Sequence, residues 1–228
     1  MKETFSENRS STMKRYLKEF FTLSAFLFVA LAFRSSLAST YVVPTESMVP
    51  TILPGDRLFA NQAAYHLRVP FSDKKLTTRG TPKRGEIAIF PDPEGKKIML
   101  IKRVIAVGGD TIAIRDGEVI LNGKALKRKV REPSKRDGII RYWEHLGSLT
   151  YRVRFDPSYA SARNMRTIRI PKDHFFVMGD NRDYSGDSRY FGPVSNKVLH
   201  ARALRLFFSV GAKSFPYIRW ERTIGPLK

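Results

Sequence analysis

Residues 85–123 read GEIAIFPDPEGKKIMLIKRVIAVGGDTIAIRDGEVILNG, and the fold class follows from this stretch. Gly85 to Phe90 is a short apolar strand stopped by Pro91-Asp92-Pro93, because proline offers no N–H to a sheet ladder. Lys97 to Val107 is a longer apolar strand ended by Gly108-Gly109-Asp110. Thr111 to Arg115 and Glu118 to Leu121 flank Asp116-Gly117, and Asn122-Gly123 follows at once. Asp-Gly and Asn-Gly supply the positive φ angles that type I′ turns need, so this reads as a tight hairpin.

Outward from this stretch the pattern continues. Helical periodicity is scarce after residue 40, and Leu149 to Phe155, Thr167 to Ile170, His174 to Met178 and Ala201 to Val210 are further strands. The expected fold is therefore mainly β and antiparallel, behind one N-terminal helix. A chain of 228 residues can bury a real core, and 42% hydrophobic residues exclude a disordered polybasic tail. The absence of cysteine excludes disulfides, thiolate metal sites and a thiol nucleophile. Lys124 to Lys172 carries fourteen Lys/Arg against four Asp/Glu, half of the net charge of +20. With Pro133, Ser134, Gly138, Gly147 and Pro157 scattered through it, this segment reads as a smaller basic subdomain, 124–172, inserted in a β-rich unit formed by 39–123 and 173–228.

The N-terminal segment supplies the topology. Phe20 to Phe33 is free of charge, and Tyr16, Leu17 and the stretch from Ser35 to Val43 lengthen it, so 16–38 reads as one transmembrane helix. Lys18 and Arg34 can snorkel toward headgroups. Arg9, Lys14, Arg15 and Lys18 precede the span, which favours a cytoplasmic tail at 1–15 and an extracytoplasmic domain beyond it. The grammar of a cleaved secretory signal fits too, with Ser36-Leu37-Ala38 as small-x-small; Arg34, inside the interval before that site, favours an uncleaved anchor.

Three polar segments sit beside the strands. Pro44-Thr45-Glu46-Ser47-Met48-Val49-Pro50-Thr51 holds a serine between two prolines that restrict the backbone. Lys102-Arg103 interrupts an apolar strand, and Gly179 to Arg189 is a dense loop with three acids and two arginines. His66, His145, His174 and His200 form no triad signature and no pair with metal-ligand spacing. The remaining candidate for activating a serine is Lys102, whose ammonium is disfavoured by burial and by the neighbouring Arg103. Residue types alone leave open whether Lys102 is a base or a snorkelling strand lysine.

PTESMVPT, KRVIAVGGD and GDNRDYSGDSR, in this order and behind an apolar segment, resemble the boxes of bacterial type I signal peptidases. Ala201-Arg202-Ala203 and Ile218-Arg219-Trp220 are similar to the closing segments of that family. The resemblance implies an antiparallel β catalytic domain of the signal-peptidase type and a membrane-anchored serine endopeptidase. Such an enzyme removes signal peptides after small residues, of Ala-x-Ala type, without a metal or other cofactor. It implies Ser47 as nucleophile, Lys102 as general base, Thr45 with the Ser47 N–H as oxyanion hole, and Ser185 as the hydroxyl orienting the lysine. Arg103, Asp180, Arg182, Asp187 and Arg189 would support the site. The extended substrate would lie between Tyr41, Val43, Pro44 and Met99, Leu100, Ile101, pairing its backbone by strand addition. Implied partners are preprotein signal peptides and membrane phospholipid, with transient proximity to the secretion translocon. The implied location is the bacterial inner membrane.

Two positions depart from the family pattern. Glu46 stands where Gram-negative members usually have Gly, and Gly108 replaces the proline of Pro-Gly-Asp, loosening the turn after the base strand. Two other readings use the same residues. One is a dedicated conjugative-transfer maturation peptidase of the same chemistry. The other is a non-enzymatic membrane-anchored module whose basic insert binds anionic lipid or nucleic acid. No stacking aromatics in a recognisable nucleic-acid motif accompany the charge, which argues against a nucleic-acid partner.

Overall fold

The computed structural model describes residues 3–72, 74–133, 138–159, 162–212, 216–225 and 227, and among these not the side chains of 3–12, 33–36, 131–133, 212 and 216. Ser134, Arg9, Arg34 and Ser36, singled out above, therefore lie outside the described residues or side chains. The chain begins with helix α1 (Glu3–Leu37). Strands follow as β1 (Ala38–Val42), β2 (Asp56–Asn61), β3 (His66–Arg68), β4 (Lys75–Thr78), β5 (Ile87–Pro91), β6 (Met99–Val107), β7 (Thr111–Arg115) and β8 (Glu118–Leu121). Next come β9 (Lys124–Ala125), β10 (Arg128–Pro133), β11 (Ile140–Leu146), β12 (Leu149–Phe155), β13 (Met165–Arg169) and β14 (His174–Met178). The short helix α2 (Ser188–Phe191) precedes β15 (Val194–Ser195), β16 (Ala201–Ala212) and β17 (Pro216–Ile218).

The pairing between strands is antiparallel, as expected. The main sheet runs β1-β2-β16-β5-β6-β14-β15, with β17 added to β16. The two hairpin turns behave as their sequences require: Asp116 and Gly117 have φ of 49° and 75°, Asn122 and Gly123 of 51° and 77°. β10-β11-β12 form a three-stranded sheet, and β13-β7-β8-β9 a four-stranded one. Strands β10 and β11 are not evident in the sequence, because Arg128-Lys-Val-Arg-Glu-Pro and Ile140-Arg-Tyr-Trp-Glu-His-Leu lack a clean apolar alternation. Within 124–172, β9 and β13 pair with β8 and β7 outside it, so the basic segment is hydrogen-bonded to its surroundings at both ends.

One core cluster crosses the same boundary. Ile105, Ala106, Phe176 and Met178 of β6 and β14 pack with Ile112, Val119, Tyr151, Val153 and Phe155. A second cluster, with Val43, Met48, Ile52, Leu58, Ile89, Ile101 and Ala201, lies beneath the 43–55 loop that joins β1 to β2. That loop is tied down by Asp56, which is fully buried. Its carboxylate accepts from Leu53 N–H (2.8 Å) and from Arg222 (2.7 Å), while Arg222 also donates to the Thr51 carbonyl (3.0 Å). The C-terminal segment thus straps the loop onto the sheet.

The N-terminal helix spans Glu3–Leu37, so it begins well before the expected 16–38 and ends one residue short of it, with Ala38 opening β1. Among the described residues, no helix is long and apolar enough to cross a membrane.

Candidate active site

Ser47 sits in the 43–55 loop and Lys102 in the middle of β6; they are 8% and 3% exposed. The two side chains meet, with Lys102 Nζ donating to Ser47 Oγ at 2.6 Å across fifty-five residues of sequence. Successive strand residues face opposite sides, so Lys102 and Arg103 separate. Arg103 Nε and Nη2 donate to Asp180 at 2.8 and 2.7 Å, Nη1 to the Gly85 carbonyl at 3.0 Å, and the guanidinium lies over the Tyr151 ring at 4.2 Å. Burial pushes the Lys102 amine from the ordinary 10.5 down to about 8, against the pull of Asp187 and Asp180 and with help from Arg189. The expected contribution of Arg103 is corrected here. The cation that aids the depression is Arg189, because Arg103 points through the sheet to Asp180.

Thr45 Oγ1 stands 3.4 Å from Ser47 Oγ. Among the described residues no acceptor engages the Ser47 N–H. Ser185 lines the same cleft, but its buried Oγ has no hydrogen-bond partner, so no bond joins it to Lys102. Ser185 instead covers Gly179, where an added Cβ would collide with Ser185 Oγ and with the Ser47 carbonyl oxygen. Only glycine permits that approach.

The loop after β14 is built as an ion-pair frame. Gly179 N–H donates to Asp187 (2.9 Å), and Arg189 pairs with Asp187 through Nε (2.8 Å) and Nη2 (2.9 Å). Arg182 forms a two-pronged pair with Glu144 of β11, to which Tyr151 of β12 also donates. Burial would push the Glu144 carboxyl up, but the Arg182 guanidinium and the Tyr151 hydroxyl hold it below the usual range. The backbone joins in: Arg154 N–H donates to the Asp180 carbonyl and Arg182 N–H to the Arg154 carbonyl, both at 2.9 Å. Asp183 accepts from Asp156 N–H (2.7 Å) and Arg163 (3.2 Å), and Ser188 from Val177 N–H (3.0 Å), so both close the loop. Glu144, Tyr151 and Arg154 were not legible as site residues, since each lies in the basic segment far along the chain.

The cleft has a volume of about 530 Å³ and is lined by Ile98, just before β6, and by Leu100 and Lys102, which share a face of that strand. Of the six residues expected to contact substrate, Leu100 lines it. Val43 and Ile101 are buried in the core beneath, Met99 and Pro44 are exposed beside it, and Tyr41 packs against that core and the His200 ring. β14 pairs with β6 only from Arg103 onward, so among the described residues the Met99–Lys102 edge has no neighbour strand on that side. Glu46 is exposed, and its carbonyl rather than its carboxylate is held by the site. The Gly108 turn is closed by Asp110, which accepts from Val107 N–H (2.9 Å) and pairs with Arg84. None of the four histidines is hydrogen-bonded to Ser47; His66 bonds Thr78 and the Asn196 carbonyl, and His200 bonds Arg68.

A buried hydroxyl–amine pair in an open cleft of an antiparallel β fold is found among peptidases, and one peptidase family matches most of this chain. The model of the family "Signal peptidase, peptidase S26" matches residues 13–208. The chain belongs to that family. Signal peptidase I of Pseudomonas aeruginosa is 35% identical over 187 residues, covering 81% of this chain and 65% of that protein. The same protein of Pseudomonas fluorescens is 34% identical with the same coverage, so the chain spans 65% of the length of both relatives. Signal peptidase I V of Bacillus subtilis is 32% identical over 184 residues, 80% of this chain and 94% of that one. A solved signal peptidase I from Enterococcus faecalis is 26% identical, covering 54% of this chain and 97% of that chain with a TM-score of 0.35.

Proposed function

We propose that this protein is a membrane-anchored serine endopeptidase that removes N-terminal signal peptides from exported preproteins. The observation that carries the reading is the 2.6 Å contact between Lys102 Nζ and Ser47 Oγ at a site dry enough to hold the amine near pH 8. A neutral amine takes the hydroxyl proton as Ser47 Oγ attacks the scissile carbonyl. Thr45 Oγ1 and the Ser47 N–H receive the charge on the tetrahedral oxygen, a stabilisation worth ~3 kcal/mol per donor in related chemistry. The Lys102 ammonium then protonates the leaving amine, and the neutral amine afterwards activates the water that releases the acyl group. Ser185, which lines the same cleft, is the hydroxyl that the family resemblance assigns to orienting the amine.

The unpaired Met99–Lys102 edge suits an extended substrate added as a strand. The close packing of Val43 and Ile101 beneath it suits small side chains before the cut. α1 serves as the anchor: Phe20, Phe21, Leu23, Phe26, Leu27 and Phe28 are exposed around the whole helix, a surface that water does not favour. The basic flank before it faces the cytoplasm, and 39–228, with its basic insert 124–172, lies outside the inner membrane against phospholipid and near the translocon. Cleavage of a preprotein in detergent by wild type, Ser47→Ala and Lys102→Ala tests the reading. Both variants should fold and leave the precursor intact, and processing by either one defeats the assignment.

A further inference from the structure

One peptide plane joins the Glu46 carbonyl to the Ser47 N–H, and the direction of one group sets the direction of the other. The Asn181 side chain reaches that plane: Nδ2 donates to the Glu46 carbonyl at 3.1 Å, while its backbone N–H donates to the Ser47 carbonyl at 3.1 Å. Val49 N–H completes the hold on Glu46 at 3.0 Å. The opposite amide orientation would set Oδ1 against the Glu46 carbonyl, two acceptors face to face, so Nδ2 is the atom that belongs there. Asn181 is fully buried and is itself fixed by its neighbours. Asp180 and Arg182 are bonded through their backbones to Arg154 of β12, and Arg182 is clamped by Glu144.

We propose that Asn181 is a positioning residue for the oxyanion hole, holding the Glu46–Ser47 peptide so that the Ser47 N–H points at the developing tetrahedral oxygen. The proposal rests on the reading of Ser47 as nucleophile. A donor aimed in advance costs no reorganisation when charge develops, so its loss weakens the transition state and spares the ground state. Asn181 does not line the cleft and bonds the Glu46 and Ser47 carbonyls rather than Ser47 Oγ, so its effect passes through the peptide it holds. The basic segment thereby reaches the chemistry through a backbone chain of Arg154, Asp180 and Asn181, although none of its own residues lines the cleft.

The test uses the full chain in detergent with Asn181→Asp, which keeps size and turns the donor into an acceptor, and with Asn181→Ala. Wild type and Ser47→Ala run alongside. Precursor cleavage is measured together with inhibition by a substrate-like peptide aldehyde, which forms a tetrahedral adduct on the serine, and by the corresponding uncleavable peptide. Expected is a fall in kcat of about 30-fold or more with KM within about twofold. Aldehyde affinity should fall in parallel, with peptide affinity and the pH midpoint unchanged. An unchanged kcat, a loss confined to KM, or a lower kcat with full aldehyde affinity overturns the proposal. Should Asn181→Ala not fold, Asn181→Asp decides, and Asn181→Gln, which retains a donor, should recover part of kcat if either folds. If Ser47→Ala remains active, it is the underlying reading that fails and not the role of Asn181 alone.

Discussion

Lys102 and Arg103 are consecutive in β6, yet they serve opposite sides of the sheet: the amine meets Ser47 and the guanidinium meets Asp180. Both are buried, but they solve burial differently. Arg103 keeps its charge by pairing it with two hydrogen bonds to Asp180, whereas Lys102 gives up its charge at about pH 8.

The pH dependence follows from that difference. With the Lys102 amine at about 8, kcat/KM should fall tenfold per unit as pH drops below about 8 and level off above it. Steady-state cleavage between pH 6 and 10 measures this, and a flat profile across that range would count against Lys102 as the base.

Stability carries the same signature with a defined sign. The unfolded chain keeps the Lys102 proton up to about 10.5 and the folded one only to about 8, so wild-type stability rises with pH through that window. Lys102→Met should therefore be more stable than wild type at pH 7 by roughly 3 kcal/mol, an advantage lost above about pH 10. Urea denaturation of both proteins at pH 7 and pH 10.5 reads the difference.

Replacing Lys102 by arginine should leave the fold intact and abolish turnover, by about a thousandfold or more, because a guanidinium does not surrender its proton in this pH range. Burst kinetics with a precursor should show no acyl-enzyme.

Breaking the buried pair from one side should be costly. Arg103→Leu leaves the Asp180 carboxylate, 1% exposed, without its partner and should destabilise by about 3–5 kcal/mol. The double variant Arg103→Leu/Asp180→Leu should recover much of that loss in thermal unfolding, and a double variant no better than the single would contradict this account.

Gly179→Ala should disable the enzyme. Its Cβ would press on the Ser47 carbonyl, which is backbone and cannot swing aside, so the loop that carries Ser47 must move. Expected is a loss of kcat of at least a hundredfold with a stability cost of about 1–3 kcal/mol.

Much of this was legible in the chain itself. Strands β7, β8, β12 and β14 announce themselves by runs of β-branched and aromatic residues, and the Asp116-Gly117 and Asn122-Gly123 turns by residues that accept positive φ. The motifs around Ser47, Lys102 and Gly179–Arg189 named the family and its candidate residues. Less legible was the split between Lys102 and Arg103, since burial disfavours either charge and neither residue type states which side of the strand its partner occupies. Glu144 was silent for a related reason: a carboxylate among basic residues reads as a solvated face until Arg182 is brought against it.

The basic stretch from Lys124 to Lys172 marks the boundary between the two kinds of information. By itself the sequence determined a mainly β antiparallel chain and its turns, because these depend on local periodicity, and its motifs offered Ser47 and Lys102 as candidates through resemblance to a family. Only the tertiary structure decided that Ser47 and Lys102 lie at 2.6 Å, that Arg103 turns away, and that Glu144 and Arg154 brace the Gly179–Arg189 loop. Those are relations between distant segments, fixed by strand register and by a shared core, and proximity of that kind has no signature in composition or spacing.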